Sequence, residues 1–150
     1  MNVIRMNFIL IFKNSSLQMN LLSDKSLFSA KVSSVLNKNV KEFGKQYLFD
    51  DREETCWNSD QGSPQYIAIL FNEPQTKISQ LQIQFQGGFV GTECHVIVNN
   101  DKKIDFFPED SNKLQTFPVE ISDASQLKIL FGGSTDFFGR ITVYQLKLLT

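Results

Sequence analysis

The residues of this chain that could take part in catalysis are one histidine, two cysteines and a cluster of acids. His95 is the single histidine, so a Ser-His-Asp triad would have to be built on it, yet the sequence has no Gly-x-Ser-x-Gly motif. Cys94 precedes it directly, and neighbouring residues of a strand point to opposite faces, which excludes a Cys94–His95 pair. A pair of Cys56 with His95 stays open. The pattern favours a half-exposed strand histidine without a catalytic role.

Four acids stand close together in the segment 50–54, at Asp50, Asp51, Glu53 and Glu54. Carboxylates at this spacing could form a catalytic pair or a calcium ligand set, the latter from Asp50, Asp51 and Glu53. The ordinary alternative is a solvated acidic turn. The two cysteines are too few for a secreted disulfide scaffold and, with one histidine, for a structural zinc site without carboxylates. We therefore predict reduced, partly buried thiols in a cytosolic or nuclear protein.

Charge and hydropathy exclude two classes of partner. Lys and Arg number 15 against 16 Asp and Glu, a formal net charge of −1, so the chain has no basic field for direct nucleic-acid binding. No apolar run approaches the roughly 20 residues that span a bilayer. We expect neither direct nucleic-acid binding nor a membrane span.

The elements that must position these residues are short strands. Leu81, Ile83 and Phe85 alternate with a row of glutamines, a period of two with one wet face. Further strands are predicted at 32–36, 66–71, 94–98, 104–107, 115–119, 127–131 and 141–149. About eight such strands without helical spacing predict an all-β antiparallel sandwich or barrel.

The domain boundary is predicted near residue 29. Residues 1–28 are expected to be an N-terminal extension, partly or wholly dispensable, and residues 29–150 one domain. The apolar stretch 8–12 is too short for the core of a secretory signal. Met19 offers an alternative start to Met1.

Two segments carry a resemblance to a known family. The segment 49–57, Phe-Asp-Asp-Arg-Glu-Glu-Thr-Cys-Trp, and the following 61–69 resemble a discoidin domain, also called coagulation factor V/VIII type C, of the galactose-binding-like superfamily. The resemblance implies a jelly-roll sandwich of eight antiparallel strands with loops clustered at one end, and Trp57 in its core. Secreted members join their first and last strands by a disulfide, and this chain has no cysteine near either, so the resemblance implies an intracellular form.

Longer blocks, at 32–37, 54–62, 80–89 and 135–140, resemble more narrowly a group of nuclear-receptor-associated proteins. This resemblance implies a non-enzymatic protein-binding adaptor that represses transcription, in the cytosol or nucleus. Its partner would be a nuclear receptor or a large intracellular complex. A carbohydrate- or phospholipid-binding module and a structural subunit of a larger intracellular assembly are the alternatives.

The resemblance also implies where binding would occur. Discoidin relatives hold sugars or lipids with apolar loop residues and a basic residue, which makes Phe89, Phe138 and Arg140 the candidate contact rim, with Asp136 orienting Arg140. The alternative is that Asp136 and Arg140 form an internal ion pair that fixes the loop. The glutamine face could meet a protein partner or water.

Several sandwiches resembling this one hold calcium beside the acidic loop, often with a carboxylate from the last strand. Here that strand offers Gln145 and no acid. The expectation is a weak calcium site at most, and no other cofactor.

Overall fold

The computed structural model describes residues 18–150, and residues 1–17, the first part of the expected extension, lie outside the described residues. Nine strands follow one another within residues 18–150. They are β1 (Phe28–Val32), β2 (Trp57–Asn58), β3 (Gln65–Gln75), β4 (Ile78–Phe85), β5 (Gly91–Val98), β6 (Lys102–Phe106), β7 (Leu114–Ile121), β8 (Ala124–Ser134) and β9 (Thr142–Leu149). Between β1 and β2 lie two 3-10 turns, Leu36–Lys38 and Lys45–Leu48, and the single helical turn α1, Val40–Phe43.

The strands form two antiparallel sheets packed face to face. The five-stranded sheet has the order β1-β3-β8-β5-β6 and the four-stranded sheet the order β2-β9-β4-β7. Every pairing is antiparallel, for example Leu81 with Leu148 and Ile67 with Ile129. The predicted all-β jelly-roll sandwich is confirmed; the strand beyond the expected eight is the two-residue β2.

Alternating side chains of the two sheets build the core between them. Leu81, Ile83 and Phe85 of β4 are buried, and Phe85 meets Phe131 of β8 edge to face at 5.7 Å. Trp57 is fully buried, with its ring centroid 6.4 Å from that of Phe131, and its indole Nε1 donates a hydrogen bond of 2.9 Å to the Ser34 carbonyl. A buried indole needs such a partner for its N–H. The expected core position of the tryptophan is correct.

The N-terminal part of the fold differs from the strand prediction. The first strand covers 28–32 rather than 32–36, and Ser33 and Ser34 instead donate their hydroxyls to the buried Gln65 side chain. Apolar side chains before residue 29 also belong to the sandwich: Leu21, Leu22 and Phe28 are buried. The packed domain therefore includes part of the predicted extension; its dispensability stays a prediction.

The sandwich has two distinct ends. At one end, which we call the loop end, β3 begins and β8 and β4 finish, and the connections 59–64, 86–90, 107–113 and 135–141 emerge there. At the opposite end Asn20 bridges to Leu149, and Thr150 N donates to Met19 O at 3.0 Å. None of the helical segments within 18–150 has the length and apolar character to cross a bilayer.

Candidate functional site

The loop 135–140 is held rigidly at the loop end by hydrogen bonds at both of its ends. Thr135 exchanges two bonds with Val90, from Thr135 N to Val90 O at 2.9 Å and from Val90 N to Thr135 Oγ1 at 3.0 Å. Ser134 Oγ donates to Arg140 O at 2.6 Å and accepts from Asp136 N at 2.9 Å. The loop is thereby closed on itself and tied to the 86–90 connection.

Gly139 lets this loop pack against the neighbouring loop 59–64. Its φ is +83°, and a Cβ there would lie 2.8 Å from the carbonyl carbon and oxygen of Gly62. Gly62 N donates to Phe138 O at 2.8 Å across this contact. A residue without a side chain is required because the two backbones touch.

Asp136 and Arg140 form the ion pair that was one of the two alternatives for this loop. Arg140 Nε lies 2.9 Å from Asp136 Oδ2, Nη2 lies 3.2 Å from Oδ1, and the Arg140 backbone N–H also donates to Oδ2 at 3.1 Å. The guanidinium hydrogen bond lowers the pKa of Asp136 and raises that of Arg140. The carboxylate is nearly covered, whereas the Arg140 side chain keeps 30% of its surface exposed.

Two aromatic rings lie beside the arginine of this ion pair. The Arg140 guanidinium carbon lies 5.2 Å from the Phe89 ring centroid and 5.7 Å from that of Phe138, within the range of cation–π attraction. Phe138 meets Phe137 edge to face at 5.3 Å. The structure thus brings together all four residues predicted as a rim, and we define the loop rim as Phe89, Asp136, Phe137, Phe138 and Arg140. Their role in binding stays a prediction.

The rim predicted from the sequence leaves out the two most exposed phenylalanines among residues 18–150. Phe137 is 93% exposed, and Phe107, in the 107–113 connection at the same end, is 82% exposed. Phe138 is 53% exposed. The available signal was a bulky apolar residue within turn-forming neighbours, Asp136 before one and Pro108 after the other. Beside the rim lies a depression of about 420 Å³ whose lining includes Thr92, Glu93 and Phe138.

A buried glutamine supports the 59–64 loop from below. Gln65 Nε2 donates to Asp60 O at 3.1 Å and to Gly62 O at 2.8 Å, while Gln65 Oε1 accepts the Ser33 and Ser34 hydroxyls. Its side chain is satisfied at every position an amide offers here. Gln65, which lies in the segment 61–69 that resembles discoidin domains, therefore supports the loop end through its hydrogen bonds.

Two carboxylates of the acidic loop make contacts with other parts of the chain. Asp50 Oδ1 accepts from Arg52 N and Oδ2 accepts from the Thr55 hydroxyl at 2.7 Å, so both oxygens are engaged. Asp51 faces the Lys147 ammonium at 3.7 Å, on the strand that would have to supply a further acid. No three His, Cys, Asp or Glu side chains are grouped for a metal within 18–150. The weak calcium site expected from Asp50, Asp51 and Glu53 stays a prediction.

The histidine and the cysteines are placed apart. His95 Nδ1 lies 2.6 Å from Asp105 Oδ1 on the outer face of the five-stranded sheet, with no hydroxyl or thiol bonded to the ring among residues 18–150. Cys94 points into the core, and burial raises the pKa of its thiol to about 12. Cys56, half-buried with a raised pKa, precedes β2 in the other sheet. The Cys56–His95 pair that stayed open does not form among these residues, since the His95 ring is bonded to Asp105.

The glutamine row lies on the solvent side of the four-stranded sheet as the alternation predicted. Gln80, Gln82 and Gln84 are half-buried, and Gln84 accepts a hydrogen bond of 2.7 Å from Gln145 and donates one to Asn112 O. The face is therefore partly self-satisfied. Whether it meets a partner or water stays open as predicted.

Fold and loop cluster define a discoidin-like sandwich of the F5/8 type C class. The F5/8 type C domain of a Bacteroides fragilis protein is similar with a TM-score of 0.69 at 12% identity, covering 89% of this chain and 97% of that one. Chitosan-binding module 1 of a Paenibacillus chitosanase/glucanase gives 0.67 at 15% identity, covering 87% and 98%. A Clostridium perfringens module in complex with GalNAc-β-1,3-galactose gives 0.62 at 17%, covering 81% and 94%.

Sequence similarity identifies the family of the chain within this class. No protein-family model matches the chain. The human nuclear receptor 2C2-associated protein is 50% identical over 132 residues, covering 80% of this chain and 89% of the human protein. Its Xenopus laevis counterpart is 52% identical over 125 residues, covering 80% and 91%. The chain belongs to the family of nuclear receptor 2C2-associated proteins, and the resemblance found in the sequence is confirmed.

Proposed function

We propose that this chain is a non-enzymatic protein-binding adaptor that contacts a nuclear receptor through its loop rim. The observation that carries the proposal is the pair Phe137 and Phe138, held in solvent by a hydrogen-bonded loop. Phe137, 93% exposed on a fixed loop, buries almost no apolar surface when the chain folds. Aromatic and arginine side chains dominate the energetics of protein interfaces. The name of the relatives supports a nuclear receptor as the partner.

The arrangement of the rim explains how such contact would be made at low entropic cost. The ion pair of Arg140 with Asp136 fixes the guanidinium before binding, and Phe89 and Phe138 flank it. A pre-organised surface loses less side-chain freedom on association than a mobile one. The adaptor would act by occupancy in the cytosol or nucleus: the rim covers a receptor surface and excludes another contact, which would produce repression.

The surroundings of His95 and Cys94 support a binding role for the chain. His95 is hydrogen-bonded to Asp105 alone, and the thiol of Cys94 is buried with a pKa of about 12. A thiol in that state is not a nucleophile near neutral pH.

Direct binding to the human receptor tests the proposal, with the human relative as positive control. The double variant Phe137→Ser/Phe138→Ser is expected to lose at least about tenfold in affinity, since hot-spot aromatics contribute roughly 1–2 kcal/mol or more each. Phe107→Ser removes a phenylalanine that is 82% exposed on a neighbouring loop and lies outside the rim; it is the control and should bind normally. Retained affinity in the double variant would exclude the rim. If the human relative binds the receptor and this chain does not, the receptor is excluded as the partner of this chain.

A carbohydrate is the second candidate ligand, favoured by the depression beside the rim. Its lining joins an aromatic ring, Phe138, to the polar side chains of Thr92, Glu93 and Asp136, the combination that orients a small polar ligand. Titration calorimetry with galactose and GalNAc-β-1,3-galactose tests it. Heat that disappears in Phe138→Ser would support a sugar site, and its absence at millimolar sugar would leave protein binding as the proposal.

A further inference from the structure

The outer face of the five-stranded sheet carries a line of cations that is separate from the loop rim. Strand register pairs Lys31 with Ala68, Ala68 with Lys128, Lys128 with Ile97 and Ile97 with Lys103. These five residues, which we call the lysine row, therefore cross the whole sheet from β1 to β6. No acidic residue interrupts the row.

The three lysines are available to a partner. None of them forms an ion pair within residues 18–150; Lys128 Nζ lies over the Tyr66 ring at 4.7 Å. Two acids of this face lie toward the loop end: Asp105 is hydrogen-bonded to His95, and Glu93 packs over Gly132. The whole chain carries a net charge of −1, and this overall balance conceals the three positive charges that the row brings together.

An apolar floor lies between these cations. A depression of about 310 Å³ is lined by Ala68, Leu70 and Ile97 together with Lys31 and Lys128. Leu70 is 54% exposed. A small free anion would make no use of this apolar surface, whereas a segment that carries both carboxylates and apolar side chains would cover it.

The spacing of the lysines indicates the form of that segment. Two strand spacings separate Lys31 from Lys128 and again Lys128 from Lys103, about 10 Å in each case. An α-helix advances about 10.5 Å in seven residues and returns to the same face. The residues three or four positions after each residue that faces a lysine would lie over Ala68 and Ile97. The long lysine side chains can follow the twist of the sheet.

We propose that the lysine row docks an acidic amphipathic helix of a protein partner, with acids at seven-residue intervals and apolar residues between them. This surface differs from the loop rim, so the inference goes beyond the function proposed above and is testable apart from it.

Fluorescence anisotropy with a labelled synthetic peptide tests this proposal on the full chain. The peptide carries Glu at i, i+7 and i+14 with Leu between, and its binding is measured against the triple variant Lys31→Gln/Lys103→Gln/Lys128→Gln. We expect the variant to bind at least about tenfold more weakly, since three charge contacts are lost. The matched control, Lys25→Gln/Lys41→Gln/Lys113→Gln, changes three exposed lysines elsewhere and should bind as the unaltered chain does.

Several results would overturn the proposal. Equal loss in the control variant would show that the peptide responds to net charge alone. If a peptide of the same composition with its Glu residues displaced binds with equal affinity, the row does not recognise the seven-residue spacing. If the lysine row is required for binding to phosphatidylserine vesicles and the peptide does not bind, the row is a lipid-binding surface. If the triple variant loses its fold, as judged by circular dichroism, the double variant of the exposed Lys31 and Lys103 replaces it. Phe137→Ser/Phe138→Ser should bind the peptide normally, which separates this test from that of the rim.

Discussion

Gly139→Ala tests whether contact between two backbones holds the loop rim in place. The added Cβ would lie 2.8 Å from the carbonyl carbon and oxygen of Gly62 and 2.8 Å from Ser63 Oγ. The serine oxygen can rotate away, but the backbone atoms cannot. The loops 59–64 and 135–140 must therefore separate, and the hydrogen bond from Gly62 N to Phe138 O is lost.

The structure sets the expected magnitude and supplies a control. An alanine at φ near +80° costs about 1–2 kcal/mol for its backbone conformation, and the lost hydrogen bond adds about 1 kcal/mol. Gly88 has φ +88° and no atom within 4 Å of a Cβ built on it, so Gly88→Ala carries only the conformational cost. Gly139→Ala should thus be less stable than Gly88→Ala by about 1 kcal/mol or more, roughly 3 °C in melting temperature.

Urea unfolding followed by tryptophan fluorescence measures the difference, because Trp57 is the single tryptophan and is buried. Receptor affinity is measured on the same samples. Gly139→Ala should weaken binding although it alters no exposed side chain, and Gly88→Ala should leave it unchanged. Equal free energies of unfolding for the two variants would refute the argument that the contact between the loops stabilises the rim.

Four further outcomes are expected. Gln65→Leu leaves buried serine hydroxyls and loop carbonyls without partners and should lower the free energy of unfolding by about 2–3 kcal/mol in urea titrations. Cys94 should resist a thiol reagent at pH 8 until the chain unfolds, with Cys56 modified first, because burial keeps both protonated and covers Cys94 more fully. The lowered pKa of Asp136 contributes stability that is present above about pH 4 and lost as the pH falls below it, so Asp136→Asn should flatten the acid limb of a melting-temperature profile. Deletion of residues 1–28 should prevent cooperative thermal unfolding, since three buried apolar side chains are worth roughly 5 kcal/mol, whereas a chain starting at Met19 should unfold cooperatively.

The strands were predictable where one face is buried and the other wet. Leu81, Ile83 and Phe85 alternate with glutamines, and β4 follows that pattern. The first strand was placed four residues late, because Ser33 and Ser34 read as strand residues although their hydroxyls bond a distant glutamine. Such a contact spans more than 30 residues and has no local signature.

The candidate sites also differ in how far they could be predicted from the sequence, because one is local in sequence and the other is not. The pairing of Asp136 with Arg140 could be predicted because both residues lie within one short loop, and the structure contains it. The lysine row could not, because Lys31, Lys103 and Lys128 come from three strands distant in sequence. Only the strand order and register place them on one line. A balanced net charge concealed the local excess.

The bridge between Asn20 and Leu149 has a practical consequence for the topology of the chain. Because both ends of the packed domain meet opposite the loop rim, a short peptide could join them, and new termini could be opened in the exposed 99–101 turn. Such a circular permutant would keep every strand pairing. It would also allow a fluorophore or a second domain to be attached at the β5–β6 turn instead, at the end of the sandwich away from the loop rim.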